Sequence, residues 1–450
     1  MNTEKRYIRD PACYTGETDE FGFAFVPGNS AGVVLMDKRS RNLLDDMSIY
    51  QPTDNDDKRL SLLLDNNLIY EVGHVQVKPR LSNEGVRSIS TWLHITNNCN
   101  LDCPYCYIKK GTGRMSIAIA KVYMDKLEET FNKHSLDSVA IRLAGGEPTL
   151  GKEVVSFVVK ELYSRFRDKA RRILPVIITN GALLDENWVD FIAENNIRVC
   201  FSLDGLGKWH DRTRFFKNGK GSFEIVFKNL ELCLKSQIRP NILTTITESN
   251  IDGIEELNRY LVDNDLGSRY GVYRDRVGDY GDYQSFTNRL KVVLGHCYDY
   301  YAQAIKTGRA QYRHQLADIR IDRGRHLRCC GVGHSVVSVN HRGQVYLCQS
   351  RMNLEPIGNI WENRTLLEMA HSQETLPQLA NSCVLDYNIC KDCQWALTCA
   401  GGCPVVNADT YGTLLTASPY CDLFKTMIPK LILLKALSLA GSFQRKEVRV

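Results

Sequence analysis

Short apolar runs alternate with longer stretches of helical periodicity through the middle of the chain. Six runs typical of buried strands lie between residues 91 and 275: WLHIT, VAIRLAG, VIITNG, IRVCFSLDG, RPNILTTIT and SRYGVYRD. Between most of them lie helix-length segments, such as MSIAIAKVYMDKLEETF, in which apolar residues recur every three or four positions. Repeated strand–helix units predict a parallel sheet with right-handed crossovers. Six such strands predict an α/β fold, a partial (β/α)6 barrel of the TIM type, with function at the carboxyl ends of its strands.

The segments on either side of this barrel, which we assign to residues 86–310, follow other patterns. Residues 1–85 carry two strand-like runs, FGFAFVP and AGVVLMD, and then two leucine-rich helical stretches, a layout that resembles a small winged-helix domain. Residues 311–425 are rich in cysteine and in loop residues. Residues 426–450 predict a helix too short and too interrupted by lysine to span a bilayer, so we expect it to be amphipathic and packed on the surface.

Composition narrows the class of protein. The 450 residues are 43% hydrophobic and 24% charged, as in an ordinary soluble globular protein, and the net charge of +5 is weak for this length. With no basic stripe and no apolar segment at the amino terminus, we expect no nucleic-acid partner, no membrane partner and no secretory signal. Sixteen cysteines are the anomaly. Disulfides are disfavoured in a reducing cytosol, so the clustered cysteines indicate a cytoplasmic metalloprotein.

The stretch TNNCNLDCPYCYI follows the first predicted barrel strand and places three cysteines close together: Cys99, Cys103 and Cys106. Soft thiolate ligands suit both iron–sulfur clusters and zinc. A cubane cluster has four irons, so three thiolates leave one iron free to bind a ligand. A structural zinc ion would need a fourth protein ligand, for which His94 is the nearest upstream candidate.

The spacing CxxxCxxC resembles the cluster motif of the radical S-adenosylmethionine superfamily. The resemblance implies that the free iron binds the amino and carboxylate groups of S-adenosylmethionine, and that Tyr105 lies beside the adenine. It also implies the chemistry: reductive cleavage of the sulfonium gives a 5′-deoxyadenosyl radical, which abstracts a hydrogen atom from an unreactive C–H bond. The protein would orient the reactants and exclude quenching groups.

Further motifs lie at the ends of the predicted strands. LAGGEPTL ends the second strand, and the resemblance assigns four of its residues to the methionine amino group: Gly145, Gly146, Glu147 and Pro148. In FSLDG, Ser202 is the expected ribose contact, with Asp204 as a second polar partner. Asn180 would contact the site or cap a turn. Arg214 would pair with the cofactor carboxylate or hold its own loop through Asp211.

A second field of cysteines follows the barrel, and its order resembles the SPASM domain of radical enzymes that modify peptides. The resemblance implies an outer auxiliary cluster held by Cys390, Cys393, Cys399 and Cys421. It implies an inner auxiliary cluster held by Cys330, Cys348 and Cys403. The fourth inner ligand is open between Cys383, which we prefer, Cys329 and a substrate thiolate. Two zinc knuckles are the alternative for this field.

The expected cofactors are therefore three [4Fe-4S] clusters and S-adenosylmethionine. The expected function is the installation of a thioether or carbon–carbon cross-link in a ribosomally made precursor peptide. The amino-terminal block would bind the leader segment of that peptide through an edge strand, and a flavodoxin- or ferredoxin-type protein would supply single electrons. The alternative enzyme is an anaerobic sulfatase-maturating enzyme, and a non-catalytic electron carrier is the alternative from another class. No catalytic acid or base stands out in the sequence.

Overall fold

The structure is a computed structural model that describes residues 5–50, 57–73, 85–273, 283–321, 324, 326–372 and 383–447. Its amino-terminal block contains five strands and two helices in the described part. The strands are β1 (Tyr7–Arg9), β2 (Tyr14–Glu17), β3 (Gly22–Phe25), β4 (Val33–Met36) and β5 (Ile69–Glu71). The helices are α1 (Lys38–Asp46) and α2 (Asp57–Asp65). The two predicted strands and two predicted helices of this block are confirmed, and β1, β2 and β5 are additional.

Two small antiparallel sheets form in this block. Strands β2, β3 and β4 pair in that order, and β1 pairs with β5. Because side chains alternate along a strand, β3 serves two cores at once. Its Phe23 and Phe25 join the main core of the protein, whereas Ala24 packs with α1 and α2 in a separate local core. The block is thereby attached to the barrel by buried apolar contact.

The barrel region follows the predicted strand–helix alternation. Its parallel strands are β6 (Ser88–Thr96), β7 (Ser138–Gly145), β8 (Arg172–Thr179), β9 (Arg198–Ser202), β10 (Asn241–Ile246), β11 (Ser268–Val272) and β12 (His314–Leu316). The helices are α3 (Ile117–Lys133), α4 (Lys152–Phe166), α5 (Glu186–Glu194), α6 (Lys208–Asp211), α7 (Phe223–Lys235), α8 (Ile254–Asp263) and α9 (Tyr283–Lys306). Polar caps start several of these helices; the Ser116 hydroxyl accepts from the amide of Ile119, for example, at 3.2 Å. The six predicted strands and their parallel order are confirmed.

The cysteine-rich region continues the barrel sheet. Its strands are β13 (Val336–Val339), β14 (Gln344–Tyr346) and β15 (Gly358–Asn359), and its helices are α10 (Leu366–His371), α11 (Ala396–Cys399), α12 (Pro404–Tyr411) and α13 (Cys421–Glu447). The residues HRGQ span the turn between β13 and β14, which pair antiparallel. Strand β13 also pairs in parallel with β6, so one ten-stranded sheet runs from β12 to β15. The sequence did not predict this junction.

The last helix differs from the amphipathic surface helix that we expected. It begins at Cys421, earlier than predicted, and packs against both α9 and β4. Its Leu423, Met427 and Ile432 are fully buried, because apolar residues occur around most of its circumference. None of the helices in the described ranges combines the length and apolarity needed to cross a membrane.

Candidate active site

The loop after β6 carries the first group of cysteines. Cys99 is buried, whereas Cys103 and Cys106 are partly exposed. The Cys99 thiol interacts electrostatically with that of Cys103, and the Cys103 thiol with that of Cys106. Burial raises the pKa of Cys99 to about 11, so this thiol is protonated in the metal-free protein. Cluster binding at this loop would therefore release protons.

The two glycines of LAGGEPTL approach the protein's own backbone. A Cβ on Gly145 would lie 2.4 Å from the carbonyl oxygen of Thr96, and its φ is +136°, a conformation that glycine adopts without strain. A Cβ on Gly146 would lie 2.2 Å from the carbonyl oxygen of Asn98. The amides of Gly146 and Glu147 donate to these carbonyls at 2.7 and 2.9 Å. The motif thus fixes the start of the cysteine loop, a role that we had not predicted.

Glu147 is fully buried and accepts several hydrogen bonds from the protein. Oε1 accepts from the Thr179 hydroxyl at 2.8 Å and from the hydroxyl and amide of Thr149 at 2.7 and 3.1 Å. Oε2 accepts from the amide of Asn180 at 2.8 Å. Burial nevertheless keeps the pKa of Glu147 above its usual value. The carboxylate joins the ends of β7 and β8, and its contact with the cofactor amino group remains a prediction.

Asn180 caps a turn, one of the two roles that the sequence left open, and also reaches the cysteine loop; its contact with the cofactor stays a prediction. Its side-chain oxygen accepts from the amide of Ala182 at 3.0 Å, which caps the turn after β8. Its side-chain nitrogen lies 2.8 Å from the amide oxygen of Asn100 and 3.8 Å from Sγ of Cys99. Pro148, also assigned to the site, is buried at the start of a 3-10 turn, Pro148–Gly151.

Asp204 and Arg214 form a buried ion pair behind the cysteine loop. Nε of Arg214 lies 2.8 Å from Oδ2 of Asp204, which is fully buried. The same carboxylate accepts from the Tyr105 hydroxyl and, at 2.8 Å, from the amide of Thr245. Burial opposes the charge of Arg214, but the Asp204 carboxylate outweighs that cost and raises the pKa of Arg214 above its usual value.

This pair corrects one alternative from the sequence. Arg214 does not hold its loop through Asp211, because Asp211 instead accepts from the amide of Phe223 at 2.8 Å and caps α7. The Arg214 guanidinium lies over the Tyr105 ring, with its central carbon 5.5 Å from the ring centroid. The centroids of the Tyr105 and Tyr273 rings are 6.1 Å apart. The predicted place of Tyr105 beside the adenine, and the ribose contact of the buried Ser202 at the end of β9, remain predictions.

Asp204→Ala is expected to lower the free energy of unfolding by roughly 3–5 kcal/mol, because it leaves the Arg214 charge buried without its partner. Urea unfolding would measure the change, and the double variant with Arg214→Met should recover part of it. Asp252→Ala, which breaks an exposed pair with Arg289 at 2.8 Å, is the matched control, with a cost below about 1 kcal/mol. Equal losses in the two aspartate variants would contradict the structural role given to Asp204.

The four cysteines expected to hold the outer cluster surround one cavity. Cys390, Cys393, Cys399 and Cys421 all line a cavity of about 410 Å³, part of which is open to solvent. Burial raises the pKa of Cys399 to about 12, and nearby Cys421, Cys390 and Cys393 act in the same direction. Apolar walls from Trp395, Phe424 and Ile428 complete the lining. A cavity with four thiols and apolar walls fits an iron–sulfur cluster.

The inner group also comes together. Burial raises the pKa of Cys330 to about 12, and Cys403 and Cys348 act in the same direction, so three thiols from distant segments lie within electrostatic range of one another. Cys383 is linked to this group through Arg328, which interacts with both Cys383 and Cys330. Cys329 packs against a small apolar core that includes Cys390 and Tyr387. The fourth inner ligand stays a prediction between these two cysteines and a substrate thiolate.

Across the described ranges, no set of three or more His, Cys, Asp or Glu side chains is arranged to hold a single metal ion. Sequence reasoning missed Thr149 and Thr179, which hold Glu147, and His210, whose Nδ1 accepts from the amide of Asp204 at 3.3 Å. The sequence does mark these residues: Thr149 directly follows GGEP, Thr179 directly precedes NG, and His210 lies in GKWHD.

Comparison with known proteins identifies relatives of the chain. Residues 93–261 match the sequence model of the radical SAM superfamily. The chain is 26% identical over 362 residues to the cysteine-type anaerobic sulfatase-maturating enzyme of Clostridium novyi (strain NT), and this alignment covers 74% of the chain and 92% of that enzyme.

Two solved structures share the fold. One is native anSMEcpe with bound AdoMet and Cp18Cys peptide, with a TM-score of 0.62 and 22% identity over 77% of this chain and 99% of that chain. The other is SuiB of Streptococcus suis bound to the precursor peptide SuiA, with a TM-score of 0.54 and 14% identity over 92% of this chain and 99% of that chain.

Proposed function

We propose that this protein is a radical SAM enzyme that cross-links a precursor peptide, since residues 93–261 match the radical SAM superfamily and its relatives include sulfatase-maturating enzymes and SuiB, which was solved with a precursor peptide. The bond formed is a thioether or a carbon–carbon bond. The substrate carries a leader segment that the amino-terminal block binds, and a flavodoxin- or ferredoxin-type protein supplies single electrons. Besides S-adenosylmethionine, the enzyme uses three [4Fe-4S] clusters.

The extent of the structural matches carries this proposal. The match to SuiB leaves 8% of the 450 residues unmatched, about 36 residues, which is fewer than the 85 that we assign to the amino-terminal block. Part of that block must therefore lie inside the match. The match to anSMEcpe leaves 23%, enough to omit the block entirely. SuiB is the neighbour bound to a precursor peptide.

Some residues of the site would bind the clusters, and others fix the cysteine loop and Tyr105 in place. Cys99, Cys103 and Cys106 would hold the first cluster, which with S-adenosylmethionine supplies hydrogen-atom abstraction from the substrate. Gly146 and Glu147 fix the loop that carries these cysteines. The Asp204–Arg214 pair holds Tyr105 behind it. The outer cluster would be held in the cavity lined by Cys390, Cys393, Cys399 and Cys421. The inner cluster would be held by Cys330, Cys348 and Cys403, with Cys383 as the fourth ligand.

An apolar strip on the amino-terminal block supports leader binding. Ile8 lies on β1 and is 36% exposed, and Val72 directly follows β5 and is 38% exposed. Ile49 is 59% exposed and directly precedes Tyr50, which pairs with Tyr7 of β1. Ile8 lies opposite Tyr70, two residues before Val72, so these side chains share one face. An extended leader would add its backbone to this small sheet and cover the strip.

The proposal is tested with the precursor peptide encoded beside the gene, under strict anaerobiosis and with a chemical reductant. We expect a product two hydrogens lighter than the precursor that no aldehyde reagent labels. Val72→Lys should weaken leader binding at least about tenfold, as measured by fluorescence polarisation. Val292→Lys, which replaces a 57% exposed valine on α9, is the matched control. No cross-linked product, together with unchanged leader binding by Val72→Lys, would overturn the proposal.

The sulfatase-maturating alternative is favoured by one observation. The alignment with the enzyme of Clostridium novyi covers 92% of that enzyme at 26% identity, whereas the likeness to SuiB is 14%. A sulfatase-derived peptide separates the two functions. Formylglycine would be labelled by an aldehyde reagent, and the reaction would not depend on the apolar strip of the amino-terminal block.

A further inference from the structure

Four arginines and no carboxylate lie at inward-facing positions on the described strands of the barrel sheet. Side chains such as Leu93, Ile141 and Phe201 point outward, because they are fully buried in the core shared with the helices. Alternate positions therefore face inward. Four arginines occupy inward positions on β7, β8, β9 and β11: Arg142, Arg172, Arg198 and Arg269. None of the strands β6 to β11 contains an aspartate or a glutamate.

Arg142 is the arginine whose charge most needs a partner. It is half-buried, its Nη1 donates to the Ser90 hydroxyl, and its guanidinium lies 5.9 Å from the ring centroid of Trp92. No carboxylate in the described part of the chain pairs with it. Burial lowers the pKa of Arg142 below its usual value, and Arg269 acts in the same direction. A desolvated guanidinium beside a second cation is stabilised when an anion binds.

Two further polar atoms on this face have no partner. Nε2 of His94 and Oγ of Ser338 are buried and make no hydrogen bond within the part of the chain that the structure describes. Ser338 lies opposite Trp92 across the β6–β13 junction, and His94 follows two residues later on β6. Buried polar atoms are normally satisfied, so these two point to a polar ligand or ordered water at the same face.

We propose that the inner face of the barrel binds a carboxylate of the peptide substrate and that Arg142 is its main ligand. This assignment rests on the proposed function, since it names a chemical feature of the same substrate. Arg142 offers paired N–H donors that match the two oxygens of a carboxylate. The carboxylate belongs either to an acidic side chain or to the carboxyl terminus of the peptide, and a lumen lined by one sign of charge would draw either one inward.

Cys200 provides a reporter for this site. It lies on β9, two residues after Arg198 and on the same face, and it is partly exposed. Burial raises its pKa, while Arg142, Arg269 and Arg198 each lower it. An alkylating reagent that carries a carboxylate would bind beside this thiol. Iodoacetate and iodoacetamide differ by that carboxylate, and both react by forming a C–S bond while the C–I bond breaks, iodide leaves and the thiol proton passes to the buffer.

The experiment compares the two reagents at Cys200 of the anaerobic holoenzyme, by peptide mapping and mass spectrometry. We expect Arg142→Gln to lower the ratio of iodoacetate to iodoacetamide rates about tenfold, and Arg142→Lys to lower it less. Arg289→Gln, on the exposed surface of α9, should leave the ratio unchanged. Far-UV circular dichroism shows whether the variant keeps its fold, and the ratio of the two rates cancels any change in the pKa of Cys200. If Arg142→Gln does not fold, Arg269→Gln serves instead, with a smaller drop expected.

Competition identifies the source of the carboxylate. Protection of Cys200 by N-acetylglutamic acid α-amide assigns the site to an acidic side chain, and protection by N-acetylglycine assigns it to a carboxyl terminus. Equal reagent ratios in wild type and Arg142→Gln would overturn the site. Protection by S-adenosylmethionine alone would overturn the assignment to a peptide. Because alkylation needs no turnover, these results stand apart from a failure to form cross-linked product.

Discussion

Replacing Cys99, Cys103 and Cys106 together with alanine is expected to abolish cleavage of S-adenosylmethionine while leaving about two thirds of the bound iron. The thiols of Cys99 and Cys103 interact with thiols of their own group, and the four outer cysteines line a cavity to which the first group does not contribute. Removal of one group should therefore leave the auxiliary clusters in place. Anaerobic reconstitution, iron analysis and chromatography of 5′-deoxyadenosine measure the two quantities.

The control for this variant is Cys233→Ala, which removes a fully buried thiol of α7 that belongs to none of the three groups. It should keep the iron content and the cleavage reaction, because such a cysteine acts as a small apolar side chain. Formation of 5′-deoxyadenosine by the triple variant would show that the cofactor site lies elsewhere. Loss of all iron would show that the three groups do not assemble independently.

Gly146→Ala is expected to reduce cofactor cleavage about 100-fold and to lower the free energy of unfolding by roughly 3 kcal/mol. The new Cβ would lie 2.2 Å from the carbonyl oxygen of Asn98 and 2.6 Å from its carbonyl carbon, so the backbone of the cysteine loop must shift. That loop carries Cys99 in the next position. Urea unfolding, iron content and single-turnover cleavage would separate lost stability from a displaced cluster.

Gly111→Ala is the matched control, in the same loop but with no heavy atom within 4 Å of the position that the new methyl group would take. It should leave the cleavage rate unchanged and be neutral or slightly stabilising, because alanine restricts the unfolded chain more than glycine does. If Gly146→Ala behaved like Gly111→Ala, the close approach of the GGEP turn to the cysteine loop would not be required for function.

The site illustrates how far local patterns reach. The spacing of Cys390, Cys393 and Cys399 is readable because such ligands lie on one short segment, and the structure brings all three to one cavity. The pairing of Arg214 was open at that level, and the sequence offered Asp211 as its partner. The structure gives Asp204 instead, since Asp211 is occupied in capping α7. Arg214 follows Asp204 by ten residues, and a loop of that length lets it reach either Asp204 or Asp211. Only the packing of the folded protein selects Asp204.

The sequence alone determined the six barrel strands, the order of their helices and the three groups of cysteines, because periodicity and ligand spacing are properties of short segments. Tertiary structure decided which distant segments those short segments contact. It placed Tyr105 on a carboxylate 99 residues away, joined β13 to β6, and turned arginines from separate strands toward one another. Contacts between distant segments depend on how whole layers pack, and no local pattern of residues records that outcome.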